Sequence, residues 1–210
     1  MAALDLPIAD GRLRRQLEFI VEIDRLKGIL RQTWLTDRSR PENDAEHSWH
    51  LAVMALVLAE YAPSGTDLSR AVRMLVVHDL VEIDAGDTFV YDERGAQDKA
   101  GRERAAADRL FGLLPADQGC ELRNLWEEFE RRDTPEARFA AALDRLQPML
   151  HNYLTGGLAW RKHGVTADRV HARNRHIGDG SPALWDVAQA IIGTAVERGF
   201  LEERGPETAR

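Results

Sequence analysis

Arg73-Met74-Leu75-Val76-Val77-His78-Asp79-Leu80-Val81-Glu82-Ile83 is the stretch that decides how this chain folds. An imidazole and a carboxylate stand side by side among apolar neighbours. An ionised Asp79 buried there alone would cost several kcal/mol. Its pKa would rise until it neutralised, unless a cation compensated it. Asp144 meets the same difficulty within Phe139-Ala140-Ala141-Ala142-Leu143-Asp144-Arg145-Leu146. One divalent ion shared by Asp79 and Asp144 resolves both, and it recruits the imidazoles of His78 and of His47 in Ala45-Glu46-His47-Ser48.

Outward from that stretch the pattern is helical. Amphipathic or apolar segments at about 12–30, 45–62, 68–85, 98–113, 116–132 and 135–155 have helical spacing, and two more helices start at Thr166 and at Ser181-Pro182. Asp67 is the expected N-cap of the helix carrying His78, and Gly86 its stop. Thr134-Pro135-Glu136 opens the helix carrying Asp144. Pro148 inside that helix is expected to bend it. Residues 31–45 and 86–95 read as polar loops, and the segment about 45–62, apolar on nearly all sides, reads as a buried helix. The fold class is all-α, a single domain over residues 1–210.

The bulk numbers narrow the function. With 210 residues and 44% hydrophobic content the chain can build a substantial core. A formal net charge of −7 argues against a long nucleic acid as partner, since phosphate contacts dominate that affinity. Cys120 is the lone cysteine, which excludes an intrachain disulfide and a thiolate-rich zinc site. There is no signal-peptide pattern at the N-terminus and no apolar run of membrane-spanning length, so a cytoplasmic location and no membrane partner are expected. The apolar run Leu184 to Ile192 reads as either core or the surface of a homodimer.

Two imidazoles and two carboxylates leave positions open on an octahedral ion, as catalysis requires. Mixed nitrogen and oxygen ligation suits Mn, Fe, Co, Ni or Zn without selecting one. No further histidine lies between residues 79 and 150, which favours one ion over two. Glu82 lies four residues after His78 and three after Asp79, on the same side of a helix. His50 reads as a packing residue, and His151 shares a face with Asp144. His163, His171 and His176 read as exposed, and Glu127, Glu128 and Glu130 as a solvated helix face.

An isolated His, then His-Asp, then a later Asp resembles the signature of the HD-domain metal phosphohydrolases. Arg40-Pro41-Glu42-Asn43, Ala45-Glu46-His47-Ser48, His78-Asp79-Leu80-Val81-Glu82 and Gly86-Asp87 look like the branch that contains the 5′-deoxynucleotidases. The similarity covers a metal-site core at about 17–150, and a C-terminal helical extension at about 151–200 looks unlike that branch. The resemblance implies an HD-domain helical bundle with one divalent ion (Mn, Co, Fe, Ni, Zn or Mg) on His47, His78, Asp79 and Asp144. It makes Glu82 the catalytic carboxylate and Asp87 a substrate-proximal acid. Relatives carry an Arg-Trp pair before the first ligand; here Thr33-Trp34 keeps the aromatic alone.

The reaction this implies is hydrolysis of a phosphomonoester, a (deoxy)nucleoside 5′-monophosphate above all, by a metal-activated water. Arg38 or Arg40 would hold phosphate oxygens, and Trp34 would pack on sugar or base. Two other readings stand beside it. One is a metal-containing nucleotide-binding or regulatory protein without turnover; the other is a metal oxygenase on the same scaffold.

Overall fold

A computed structural model describes residues 6–92, 95 and 97–203. It is all-α apart from one small hairpin. Helix α1 (Gly11–Ile23) starts on Asp10, whose carboxylate accepts from the amides of Arg12 and Leu13. It ends earlier than its sequence period suggests, in a tight turn over Asp24–Gly28. The stretch read as a polar loop is instead an antiparallel pair, β1 (Leu30–Trp34) and β2 (Pro41–Asn43). Its short strands carry charged and polar residues, so no hydrophobic alternation marks them.

Helix α2 (Asp44–Val57) follows β2 without a linker. The Asn43 side chain accepts from the Glu46 amide at 3.0 Å, and Glu46 accepts from the Asn43 amide at 2.8 Å, a reciprocal cap that fixes where the helix starts. His47 therefore sits in the first turn. Contrary to the buried helix expected, α2 leaves Trp49, Leu56 and Val57 exposed on its outer face.

Helix α3 (Leu68–Val77) is capped by Asp67, as expected, but it does not run to residue 85. It ends at His78, and the chain turns through Asp79, Leu80 and Val81 before the short α4 (Glu82–Ala85). Gly86, at φ 74°, closes that segment in a left-handed conformation that glycine adopts without strain. Then come α5 (Lys99–Phe111), α6 (Ala116–Arg131) and α7 (Pro135–Leu154). Thr134 caps α7 with Pro135 at its first position. The C-terminal part adds α8 (Leu158–Lys162), α9 (Ala167–Asn174), α10 (Ile177–Gly180) and α11 (Pro182–Glu197).

Two apolar clusters form the interior. One gathers Leu51, Met74, Leu75, Phe139, Leu143, Met149 and Ile177 around α7; the other gathers Phe19, Leu26, Val77, Leu80, Val81, Leu110 and Trp126 around α5. The end of α3 feeds both, so His78 and Asp79 emerge at the seam between them. Gly180 packs α10 on α7 so closely that a Cβ would lie 2.2 Å from the Arg138 carbonyl oxygen. Within the run Leu184 to Ile192, Leu184, Ala188, Ile191 and Ile192 are buried and Val187 and Ala190 are exposed. Among the described residues, no helix is long and apolar enough to cross a membrane.

Candidate metal centre

Three elements converge at the seam. The first turn of α2 brings His47, the end of α3 brings His78 and Asp79, and the middle of α7 brings Asp144. All four are buried, His47 completely. His47 Nε2 lies 3.1 Å from Asp144 Oδ1, and His78 Nε2 lies 3.2 Å from Asp79 Oδ1 and 3.8 Å from Asp144 Oδ1.

Each imidazole is oriented by its other nitrogen. His78 Nδ1 lies 2.9 Å from the Leu75 carbonyl oxygen, to which it can only donate, so in the neutral ring Nε2 carries the lone pair. His78 Nε2 is buried without a hydrogen-bond partner. His47 Nδ1 lies 3.3 Å from Glu42 Oε2, which holds Nε2 toward the carboxylates. A buried, unpartnered imidazole nitrogen aimed at two carboxylates is what a divalent cation would satisfy, and the outer contacts are those that orient metal-binding histidines. His47, His78 and Asp144 offer ligand atoms within 4.8 Å of one another.

The electrostatics agree. Burial and the Arg31 charge oppose protonation of His47, but Asp144 and Glu42 outweigh them and raise its pKa to about 9. Burial works against ionised Asp144, yet Arg145 and the two imidazoles hold its pKa well below the usual range. Asp144 keeps its charge and gathers positive charge around it.

Arg31, on β1, reaches in from the hairpin. Its Nη1 donates to Asp79 Oδ2 and to Asp44 Oδ1, each at 3.0 Å. Burial and then Asp79 raise the Asp44 pKa to about 7, against the pull of Arg31. The sequence reading missed Arg31, Asp44 and Glu42 as parts of the centre. The signal was there: charged residues adjoining a ligand segment, in a stretch too short to bury them by its own pattern.

An open cleft adjoins the centre. His78, Asp79, Glu82, Asp87 and Asp144 line it, with Arg31 and Thr33. Glu82 is buried, with its Oε2 unpartnered and Lys99 3.9 Å from Oε1. Burial and then Asp79 push its pKa up to about 9. Burial likewise raises Asp87, with Arg31 opposing.

The lining is also cationic and aromatic: Arg132, Arg145, Arg173, Phe89, Tyr91 and Trp160. Arg132 Nε and Arg145 Nε are buried without a hydrogen-bond partner, and Arg145 Nε forms an ion pair with Asp144 Oδ2 at 3.6 Å. Burial and then the Arg145 charge lower the Arg132 pKa. His176, partly buried rather than exposed, is held down to about 4 by burial and then by Arg132 and Arg145. Trp160 and Arg173 come from the C-terminal extension, so the cleft is not built from the 17–150 core alone.

Trp34, Arg38 and Arg40 are not among the residues lining the cleft. Arg40 is exposed and forms a two-pronged pair with Glu46, at 2.5 and 2.9 Å. Arg38 is exposed in the turn after β1, at φ 64°. The Trp34 carbonyl oxygen faces His151 Nδ1 at 3.1 Å. Glu128, read as solvated, is buried and clasped by Arg70, with the Thr134 hydroxyl donating to it at 2.7 Å.

The HD domain family profile matches residues 23–185. Over 138 residues the chain is 34% identical to human (Homo sapiens) 5′-deoxynucleotidase HDDC2, covering 65% of this chain and 66% of that one. To the Schizosaccharomyces pombe 5′-deoxynucleotidase hdd1 it is 28% identical over 134 residues, or 61% of this chain and 66% of that one. The chain thus spans slightly under two thirds of the length of these curated relatives. A crystal structure of a predicted metal-dependent phosphohydrolase from Magnetospirillum magnetotacticum MS-1 superposes with a TM-score of 0.89 at 57% identity, covering 93% of this chain and 98% of that one. PH0347 from Pyrococcus horikoshii OT3, at 24% identity and a TM-score of 0.58, shares the fold, over 87% of this chain and 99% of that one.

Proposed function

This chain belongs to the HD domain family, and from that premise we propose that it hydrolyses a small phosphomonoester, a (deoxy)nucleoside 5′-monophosphate, with His47, His78, Asp79 and Asp144 as ligands of one divalent ion. The observation that carries the reading is the unpartnered His78 Nε2, buried beside Asp79 and Asp144 where the cleft begins. The resemblance to proteins named 5′-deoxynucleotidases supports the substrate class.

When bound, the ion supplies a Lewis acid that makes water more acidic and draws charge from a phosphoryl oxygen. The protein's own groups do the rest. Glu82 has a free oxygen; burial and then Asp79 keep it protonated in the metal-free chain, and with the Asp79 charge taken up by a cation its carboxylate would accept the proton that the attacking water loses and pass it to the leaving alkoxide. Lys99, paired with Glu103 at 3.0 Å, adds a positive charge 3.9 Å from that carboxylate. Arg132 and Arg145 hold the phosphate oxygens: Arg132 Nε has no hydrogen-bond partner, and Arg145, 3.6 Å from Asp144, puts its charge beside the ligands. In-line attack on phosphorus needs chiefly positioning and charge stabilisation, and these groups offer both. Asp87 faces the sugar from the Gly86 turn, and Phe89, Tyr91 and Trp160 give the base an aromatic wall. Arg38, Arg40 and Trp34 have no part in this arrangement.

The test is phosphate release from a panel of mononucleotides with Mn, Co, Mg and Zn. Metal-dependent release that is lost in Asp79→Ala and in Glu82→Ala is expected. Tight nucleotide binding with no release under any metal would overturn the reading in favour of a binding protein. Oxygen consumption without phosphate release would overturn it in favour of an oxygenase.

A further inference from the structure

On the side of His47 that faces away from Asp144, four polar side chains meet at one point, and none of them lines the cleft. Glu42 Oε1, His50 Nδ1 and His151 Nε2 approach a single atom, Gln147 Nε2, at 2.6, 3.3 and 3.2 Å. Glu42, Gln147 and His151 are buried, and His50 is half-buried.

The hydrogen-bond count does not close. A carboxamide NH2 has two hydrogens, and three acceptors surround it. His151 Nδ1, 3.1 Å from the Trp34 carbonyl oxygen, must donate there, so neutral His151 turns a bare lone pair on Nε2 toward the hub. Adding a proton to either imidazole at the hub repairs nothing, because the new N–H would point at the hydrogens of the amide. Meanwhile Gln147 Oε1 is buried with no partner. Turning the amide over brings that oxygen to the hub, where it would oppose the Glu42 carboxylate. A metal ion at the hub would make such a cluster of lone pairs favourable; the Arg31 guanidinium faces the other Glu42 oxygen, Oε2, at 3.8 Å.

We propose that Glu42, His50, Gln147 and His151 form a second, structural site for a zinc-like divalent ion, bound with the Gln147 carboxamide turned so that its oxygen faces the metal. Ligand atoms of Glu42, His50 and His151 lie within 4.8 Å of one another, close enough to contract onto one ion. Two nitrogens and two oxygens fill four positions, and a tetrahedral set with no open position is what separates a structural ion from a catalytic one. The outer contacts are also in place: the Trp34 carbonyl fixes the His151 tautomer, and Glu42 Oε2 is turned to His47 Nδ1 at 3.3 Å. The ion would tie β2, α2 and α7 together, and α2 and α7 deliver His47 and Asp144. The site stands whether or not the chain is a phosphohydrolase.

The experiment is metal stoichiometry on the full chain, stripped with chelator, reloaded with zinc, freed of excess by gel filtration and measured by elemental analysis. Two equivalents per chain are expected, falling to one in His50→Ala and in His151→Phe. Asp79→Ala should lose the other equivalent and keep this one, which separates the two centres. One equivalent in the unaltered chain, or a count that neither histidine variant changes, would overturn the proposal. Anomalous diffraction from zinc-loaded crystals of the unaltered chain reads the same question without relying on variants that fold. A peak about 2.0–2.2 Å from Glu42, His50 and His151 supports the site, and its absence beside a peak at His47 refutes it.

Discussion

His47 Nε2 and Asp144 Oδ1 meet at 3.1 Å although 97 residues separate them in the chain. The contact joins the first turn of α2 to the middle of α7. Removing one side of it should be felt as metal loss rather than as unfolding, since Asp144 opens onto the cleft. Asp144→Ala is expected to bind the catalytic ion more than about 100-fold more weakly, beyond the cost typical of altering an outer-shell partner. Calorimetric titration with Mn or Co checks this; affinity within tenfold of the unaltered chain would remove Asp144 from the ligand set.

The metal-free protein should lose stability as pH rises. The folded pKa of His47, about 9, exceeds the usual histidine value of about 6.5. Its proton therefore stabilises the fold fully below about pH 6.5, and that contribution is lost as pH rises through about 9. Asp44 and Glu82, raised to about 7 and about 9, bind protons in the folded state that the unfolded chain has released, and they act in the same direction. Tm of chelated protein should fall between pH 6.5 and 9, and metal should bind more tightly across that range while displacing a proton. A flat Tm profile would contradict the proton-loaded centre.

Glu82→Gln keeps the shape of the side chain and removes the base. Turnover should drop by about 10²- to 10⁴-fold, with metal content and KM little changed. A variant that loses its metal as well would make Glu82 a ligand instead.

The cationic wall predicts a contrast between arginines. Arg145→Gln should raise KM by about tenfold or more, the worth of a charge-assisted hydrogen bond. Arg38→Gln and Arg40→Gln should leave KM as it was, because both guanidiniums lie outside the cleft. Steady-state kinetics on the three variants decides where phosphate is held.

Phe139 is fully buried in α7, among the side chains that set the position of Asp144. Phe139→Ala should cost about 3–5 kcal/mol in denaturant unfolding.

Much of this was legible in the residues. Caps at Asp67, Thr134 and Ser181 announce α3, α7 and α11 because a side-chain oxygen on an orphan amide is a local matter. His47, His78, Asp79 and Asp144 could be grouped because buried charge needs compensation wherever the chain takes it. What escaped was tertiary. The break after His78 has no glycine or proline to mark it, and Arg31 reads as an ordinary polar residue until the hairpin folds over Asp79. Arg132 and Arg145 became cleft residues only when α6 and α7 packed against the C-terminal helices, whereas Arg40 found Glu46 on the surface.

Arg31 sets a permanent positive charge against two carboxylates, Asp44 and Asp79, the second of which also faces the ion. A guanidinium in that place repels any cation arriving at the ligands, so it lowers the affinity that the same ligands would reach without it. The metal found in the working protein will follow the supply around it more than any selectivity of the ligands.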